Sequence, residues 1–412
     1  MHETAAGSLA LQSVLDDVAA SAAVAGLDPG PVDFQMVPAR LLETVTAYGG
    51  LLTRLGHWSF GKAYYRLKLA QQYHELRLYE LVVPSRPAVA YLLDQTPPAE
   101  TRLVMAHVLA HADFFRHHVR FAQQPGDMPR RAGVWRDWMA AAAPGRRARA
   151  WEPFLDDAAV LADLIDPWTR DPAAPLNVLP LVAQEAPGLA DRERHALWIV
   201  EQEARFVRPA LETKIANEGW ATWWHRRLQR SQRLTLGEAL DGARLHAQVV
   251  ATGRVLNPYA LGLALWERVA EDPERLWRER VWTNDAALVD RYLDESVAAR
   301  CLSHADGAFG TVKAQLLAAL DNGGIPRIEV DGFGGGGLRL VHRFDGRELD
   351  WALLPHALGA VSRLWGGPVD LATHRGGAAL VITSRAFAGD GVLSERVAGG
   401  AAAVLGSGSR LR

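Results

Sequence analysis

Apolar residues recur at intervals of three and four along most of the chain, from Pro38 to about Leu320. This spacing is typical of helices that bury one stripe of side chains. Prolines separate the periodic segments and mark where helices end. We therefore predict a large helical domain over residues 31–322, preceded by a short helix and loop over residues 1–30. The pattern is clearest in "ARLLETVTAYGGLLTRLG", "RLVMAHVLAHADFFRHHVRF" and "LTLGEALDGARLHAQVVATGRVL".

The pattern changes after "DNGGIP", where short runs of branched residues alternate with turns. The runs "RIEVDG", "LRLVHRF", "PVDLATH" and "AALVITS" predict strands. Between them, "ELDWALLPHALGAVSRLWGG" is amphipathic and ends in Gly-Gly, which predicts a helix with a glycine stop. The predicted fold is therefore mainly α, with a small α+β domain over residues 323–395 and a flexible tail over residues 396–412.

A glycine-rich stretch in this domain, "DGFGGGGLRL" (residues 331–340), invites comparison with a phosphate-binding loop. It lacks the Gly-Lys-Ser/Thr ending of such loops, and no predicted helix follows it. The sequence instead predicts a hairpin turn between two strands.

Charge and cysteine content restrict the class of protein. The 45 basic and 47 acidic residues give a net charge of −2, so no overall positive charge points to nucleic acid or to an anionic membrane. The single cysteine, Cys301, rules out a disulfide within the chain and fits a reducing compartment. The N-terminus lacks the pattern of a secretory signal. No apolar run reaches the roughly 18 residues that a membrane span needs. We therefore predict a cytoplasmic protein.

Two histidines, His107 and His111, stand four residues apart in a predicted helix. This spacing puts both imidazoles on one face, where they can share a metal ion. Such a pair also arises by chance in a chain with 14 histidines. The pair alone therefore leaves a metal site and a structural role open.

A second stretch, "KIANEGWATWWH" (residues 214–225), strengthens the metal hypothesis. In the gluzincin zinc peptidases, one helix supplies two histidines and a later Asn-Glu-Gly-x-Ala helix supplies a glutamate. "NEGWA" resembles that later helix, with Glu218 as third ligand and its following glycine allowing close packing beneath the metal. His107, His111 and Glu218 would form a two-nitrogen, one-oxygen zinc site with one position free, although another divalent metal remains open. The alternative is that Glu218 only interacts with the helix dipole.

This chain lacks the glutamate that serves as the general base in those peptidases at its usual position. Val108 follows the first histidine, where a glutamate would activate water. Glu203 in "EQEARF" and Glu80 in "YELVVP" are the candidates for this role. Both are also candidate extra ligands, which would favour a two-metal carboxylate cluster. His225 lies about 10.5 Å along the helix axis from Glu218, so we expect it to orient ligands or contact substrate.

Several motifs in their order resemble the stage V sporulation protein R (SpoVR) family, from about residue 30 to residue 375. They are "HWSFGKAY", "YELVVPSRPAVAYLLDQT", "VMAHVLAHADFF", "EQEARFVRPALETKIANEGWATWWH", "LNPYALGLALWE" and "DRYLDE". The resemblance implies a link to spore cortex formation or, in bacteria that do not sporulate, to stress and cell-envelope physiology. It also implies a PrkA-type serine kinase and a YeaH/YhbH-type protein as partners. It implies no particular reaction.

Three functions remain open from the sequence. The favoured one is a zinc-dependent hydrolase of amide or peptide bonds. The second is a non-catalytic regulator or scaffold that works with a PrkA-type kinase. The third is a two-metal carboxylate oxidoreductase, which is disfavoured because no paired Glu-x-x-His repeat is visible.

Overall fold

The computed structural model describes residues 5–57, 59, 62–63, 80–143, 148–253, 255–302, 305, 307–384 and 393–397. The chain forms two compact units, each made of two segments. The first takes its described residues from 1–136 and 209–323, and the second from 137–208 and 324–412. Both units are thus discontinuous in sequence, and the predicted domain boundaries stay a prediction. Of the predicted flexible tail, residues 398–412 lie outside the described residues.

The first unit consists mainly of helices. Two helices, α5 (Met128–Ala142) and α8 (Asp191–Glu212), have residues in both units. The other helices of the first unit are α1 (Ala5–Val24), α2 (Ala39–Ala47), α3 (Pro98–His117), α4 (Val119–Ala122), α9 (Lys214–Ser231), α10 (Leu236–Val249), α11 (Pro258–Val269), α12 (Pro273–Trp282), α13 (Asp285–Tyr292), α14 (Glu295–Cys301) and α15 (Phe309–Leu320), followed by a 3₁₀ turn (Asp321–Gly324).

A small sheet interrupts the helical region, which the helical periodicity did not predict. Its strands are β1 (Val32–Val37), β2 (Glu80–Val83) and β3 (Ala88–Leu93), in the order β1-β3-β2. β1 pairs with β3 in parallel, and β2 pairs with β3 antiparallel. Strands of four to six residues are too short for periodicity to separate them from helix segments. β2 packs against α3, so its first residue, Glu80, starts beside that helix.

Three helices, α3, α9 and α11, form the centre of the first unit, with α9 packed against both others. The core includes the fully buried Trp220, Trp224 and Trp266. The indole Nε1–H of Trp266 donates to the carbonyl oxygen of Ala216 at 2.8 Å, which ties α11 to the first turn of α9. This packing fixes the relative position of three helices that carry polar residues on facing sides.

The start of α9 is held by a carboxylate from another helix. The side chain of Thr213, which precedes α9, makes no capping hydrogen bond. Instead, the backbone N–H groups of Ile215 and Ala216 donate to the buried Asp285 carboxylate at 3.0 and 2.8 Å. This contact satisfies two of the N–H groups that a helix start leaves unpaired. It thereby fixes the turn of α9 that precedes Glu218.

The second unit combines helices with a five-stranded sheet. The strands are in sequential order, with β5 and β6 parallel and the other neighbours antiparallel. The predicted hairpin is confirmed: Gly334 pairs with Gly337, and Gly335 and Gly336 have positive φ angles of 58° and 83° that suit a tight hairpin turn. The elements are a 3₁₀ turn (Ala148–Trp151), α6 (Glu152–Leu161), α7 (Val178–Glu185), β4 (Ile328–Gly334), β5 (Gly337–His342), α16 (Leu354–Trp365), β6 (Val369–Arg375), β7 (Ala378–Ser384) and β8 (Leu393–Val397).

The predicted fold class is confirmed as mainly α with a C-terminal α+β region. Among the helices of the described residues, none is long and apolar enough to span a membrane. The likeness of the central helices to those of gluzincins stays a prediction.

Candidate metal centre

α3 places His107 and His111 side by side in the interior of the first unit. The two residues are one helical turn apart, and their ring centroids are 4.5 Å apart with the rings perpendicular. Only 4% of His107 and 6% of His111 is exposed. α3 is buried along most of its length because it packs against α1, α9 and α10. The helical spacing read from the sequence therefore does bring the two imidazoles together.

α9 brings Glu218 to the same point from the opposite side. Its Oε2 lies 3.6 Å from Nε2 of His107 and 3.3 Å from Nε2 of His111. Both Oε2 of Glu218 and Nε2 of His107 are buried, and neither has a hydrogen-bond partner among the described residues. A buried polar atom without a partner is costly, so two of them facing each other need a compensating group. A cation between them would supply it.

β2 contributes a second carboxylate, Glu80. Its Oε1 lies 3.7 Å from Nε2 of His107. Glu80, His107 and His111 each offer one ligand atom, and these three atoms lie within 4.8 Å of one another. The cluster therefore offers two imidazole nitrogens and two carboxylates from three different elements.

Each of the two candidate histidine ligands uses its other nitrogen in a hydrogen bond. Nδ1 of His111 lies 2.9 Å from Oδ1 of Asn217, and an amide oxygen only accepts, so Nδ1 carries the proton. In neutral His111, Nε2 then has a free lone pair. Nδ1 of His107 lies 2.9 Å from Nδ1 of His225. Metal-ligating histidines typically have such a partner on the second nitrogen, because it fixes the tautomer and the ring orientation.

His225 continues this contact towards the outer part of the unit. Its Nε2 lies 2.9 Å from Nδ1 of His246 on α10. His225 is 1% exposed, whereas His246 is half-buried. If Nε2 of His107 is unprotonated, its Nδ1–H donates to His225, and Nε2–H of His225 donates to His246. We call these three residues the histidine chain.

Tyr259 completes the cluster from α11. Its ring stacks on that of His107 at a centroid distance of 6.0 Å, and its hydroxyl lies beside Glu218. Burial and the charges of Glu218 and Glu80 raise the pKa of Tyr259 well above its ordinary value. The phenol therefore keeps its proton at neutral pH and is available as a hydrogen-bond donor.

Two facing glycines allow α11 to approach this closely. A Cβ atom at Gly219 would lie 2.4 Å from Cα of Gly262, and a Cβ atom at Gly262 would lie 2.3 Å from the carbonyl oxygen of Ile215. No side chain fits at either position. The glycine after Glu218 is thus explained by its contact with α11, and this contact positions Tyr259 beside Glu218.

The environments of the two carboxyl groups push their pKa values apart. Burial raises the pKa of Glu80, although His107 and His111 act in the opposite direction. Burial has the same tendency at Glu218, but the two histidines outweigh it and hold the pKa well below its usual range. Burial disfavours charged His111, yet the Glu218 carboxylate raises its pKa. Two carboxyl groups with opposite pKa shifts suit different roles. Glu218, with its lowered pKa, suits an ionised ligand, and Glu80, with its raised pKa, suits a proton acceptor.

The structure brings together Glu80, His107, His111, Glu218 and His225. Glu203 is not a member of this cluster and lies, half-buried, on the part of α8 that belongs to the second unit. The sequence analysis did not single out Tyr259, His246 and Asn217. Asn217 was visible in the Asn-Glu-Gly motif, whereas the other two lack a local signal because their roles depend on helix packing.

Comparisons with known proteins agree with the motifs. The sequence model of one family, described as SpoVR like protein, matches residues 7–176 and 169–300. The uncharacterized protein YcgB of Escherichia coli (strain K12) is 23% identical over 333 residues. That match covers 64% of this chain and 64% of YcgB, so the chain spans less than two thirds of its relative. No solved structure matches the chain.

Proposed function

The chain belongs to the SpoVR-like family, and we propose that its histidine and carboxylate cluster is the metal centre of a zinc-dependent hydrolase of amide or peptide bonds. The observation that carries this proposal is the pair of buried atoms, Nε2 of His107 and Oε2 of Glu218, without hydrogen-bond partners among the described residues. Nε2 of His111 lies within 3.3 Å of the same oxygen. Two imidazoles and one carboxylate are a donor set that suits catalytic zinc and leaves one position open.

His107, His111 and Glu218 would hold the ion, with Glu218 ionised as its lowered pKa favours. A zinc ion there would act as a Lewis acid towards a carbonyl group and would make water a nucleophile at neutral pH. Asn217 and His225 hold the two imidazoles by their Nδ1 atoms. These contacts fix the donor atoms before a metal binds, which lowers the entropic cost of forming the site.

Glu80 is the proposed general base. Its raised pKa brings its proton affinity closer to neutrality, where general bases work best. It adjoins the histidines, which supports it over Glu203 as the residue that accepts a proton from water. In this proposal Tyr259, which keeps its proton beside Glu218, would donate a hydrogen bond to the negative charge that develops on the substrate oxygen.

The biological setting is part of the same proposal. We infer a cytoplasmic role in sporulation or in stress and cell-envelope physiology, with a PrkA-type kinase and a YeaH/YhbH-type protein as partners. Peptides of cell-wall precursors are accordingly the first substrates to test. The regulator hypothesis makes the opposite prediction, namely that no variant of the cluster changes a hydrolytic rate.

The metal content of protein purified without chelators tests the proposal. We expect about one zinc ion per chain by inductively coupled plasma mass spectrometry. Glu218→Gln should lose the metal, because the amide lacks the charge of the ligand. His356→Asn, which removes an exposed histidine of the second unit, is the matched control and should keep it. A negligible zinc content in the parent protein would contradict the proposal, and iron or manganese in its place would favour an oxidoreductase.

A second pair of variants separates base from ligand. Glu80→Gln should keep zinc but lower the hydrolytic rate on a responsive peptide by roughly 10²–10⁴-fold, the usual contribution of a general base. Glu203→Gln should leave both unchanged. Loss of zinc from Glu80→Gln would show that Glu80 is a fourth ligand and that the base lies elsewhere.

A further inference from the structure

A cavity of about 370 Å³ lies along the C-terminal half of α9. Three arginines, one tryptophan and one serine line it: Trp223, Arg226, Arg227, Arg230 and Ser231. Arg227 and Arg230 are exposed, while Trp223 is buried in the wall. The cavity belongs to the first unit but contains none of the candidate metal ligands.

Among the described residues, the positive charges that line this cavity outnumber the negative charges paired with them. Nη2 of Arg226 lies 2.8 Å from Oε1 of Glu267, and the other oxygen of Glu267 lies 3.4 Å from Arg300. Arg227 and Arg230 form no ion pair or hydrogen bond with any residue in the described part of the chain. Like charges at spacings of three and four repel each other on a helix. Arg227 and Arg230 thus contribute two positive charges without an acidic partner in the described part of the chain.

The guanidinium groups are the donors that this cavity offers. The guanidinium carbon of Arg227 lies 5.3 Å from the centroid of the Trp223 ring, a distance at which a cation is attracted to the ring. The hydroxyl of Ser231 donates to the carbonyl oxygen of Leu228 at 2.8 Å, so its proton is already used. A ligand in the cavity would meet planar cations with several N–H donors each, which is the geometry that phosphate and sulfate oxygens match.

We propose that this arginine-lined cavity binds a small tetrahedral oxyanion with two negative charges, namely phosphate or a phosphomonoester. A dianion would neutralise the positive charges of both Arg227 and Arg230, whereas a carboxylate would neutralise only one of them. Arg226 directly follows His225 on α9, so the cavity lies next to the histidine chain. The proposal stands independently of the zinc chemistry.

Titration of the full chain with inorganic phosphate tests this site. Isothermal titration calorimetry at constant ionic strength should give saturable binding with one phosphate per chain, similar binding of sulfate and much weaker binding of acetate. Replacing two arginines in the double variant Arg227→Gln/Arg230→Gln should weaken phosphate binding by roughly tenfold or more, because each loses a charge-assisted contact. Both side chains are exposed, so circular dichroism should show an unchanged fold.

Arg244→Gln is the matched control, since Arg244 is an exposed arginine of the neighbouring helix α10 and pairs with Asp241 at 3.5 Å. It should bind phosphate like the parent protein. Non-saturable phosphate binding, or equal affinity in the double variant and the parent, would overturn the proposal. Binding to phosphatidic acid vesicles without binding to free phosphate would overturn it as well, because the ligand would then be a membrane surface.

Discussion

Gly219→Ala tests whether the close crossing of α9 and α11 holds the candidate site together. The new Cβ would lie 2.4 Å from Cα and from the carbonyl carbon of Gly262. Non-bonded carbon atoms prefer separations of about 3.5–4.0 Å, so the helices would have to move apart by roughly 1 Å or more. Overpacking of this kind costs about 1–3 kcal/mol. The better helix propensity of alanine offsets about 1 kcal/mol of that cost.

Gly237→Ala is the matched control, because Gly237 also lies in a helix but a Cβ there would meet nothing within 4 Å. Urea unfolding should show a lower free energy of unfolding for Gly219→Ala, by about 1–3 kcal/mol relative to Gly237→Ala. The same displacement should move Tyr259 away from Glu218, so the hydrolytic rate should also fall in Gly219→Ala alone. Equal stability of the two variants would refute the close-contact explanation of Gly219.

Three further predictions concern buried polar groups. Burial lowers the pKa of His118 to about 4. Between pH 6.5 and 4 the unfolded chain therefore binds more protons than the folded chain, so the free energy of unfolding should fall by about 3 kcal/mol as pH falls through that window. Urea unfolding at pH 7 and pH 4.5 checks this, and an equally steep loss in His118→Gln would contradict it. Arg280→Ala should lower the free energy of unfolding by about 3–5 kcal/mol, because the fully buried Asp113 carboxylate loses the guanidinium that contacts it at 2.8 and 2.9 Å. Arg268→Ala, which removes an exposed ion pair, should cost less than about 1 kcal/mol. His225→Phe should weaken zinc binding by roughly 10–100-fold in a chelator competition assay, because Nδ1 of His107 loses its hydrogen-bond partner. Unchanged zinc affinity would refute the role of His225 in orienting His107.

The parts of the candidate site that the sequence predicts are those set by helical geometry. His107 and His111 follow from the i, i+4 spacing within one helix, and their rings lie together as expected. Glu80 and Glu203 could not be ranked from sequence, because a contact between β2 and α3 depends on tertiary packing. Tyr259 was missed for the same reason: its distance from Glu218 is set by the Gly219–Gly262 contact of two helices.

The fold shows the same division between local and long-range information. α16 and the hairpin at Gly335 carry local signals, namely an amphipathic stripe with a glycine stop and a glycine turn, and both are present. The pairing of Val32 with Ala88 joins positions far apart in sequence. Strands as short as β2 lack enough residues to show a period, so the three-stranded sheet was not predicted.

The central claim is that His107, His111 and Glu218 hold a metal ion. X-ray diffraction data from crystals of the full chain, collected just above and just below the zinc absorption edge, test it most directly. The account predicts one anomalous difference peak that disappears below the edge, within about 2.0–2.2 Å of Nε2 of both histidines and of a Glu218 oxygen. The absence of a peak at this cluster in crystals of zinc-supplemented protein would contradict the account.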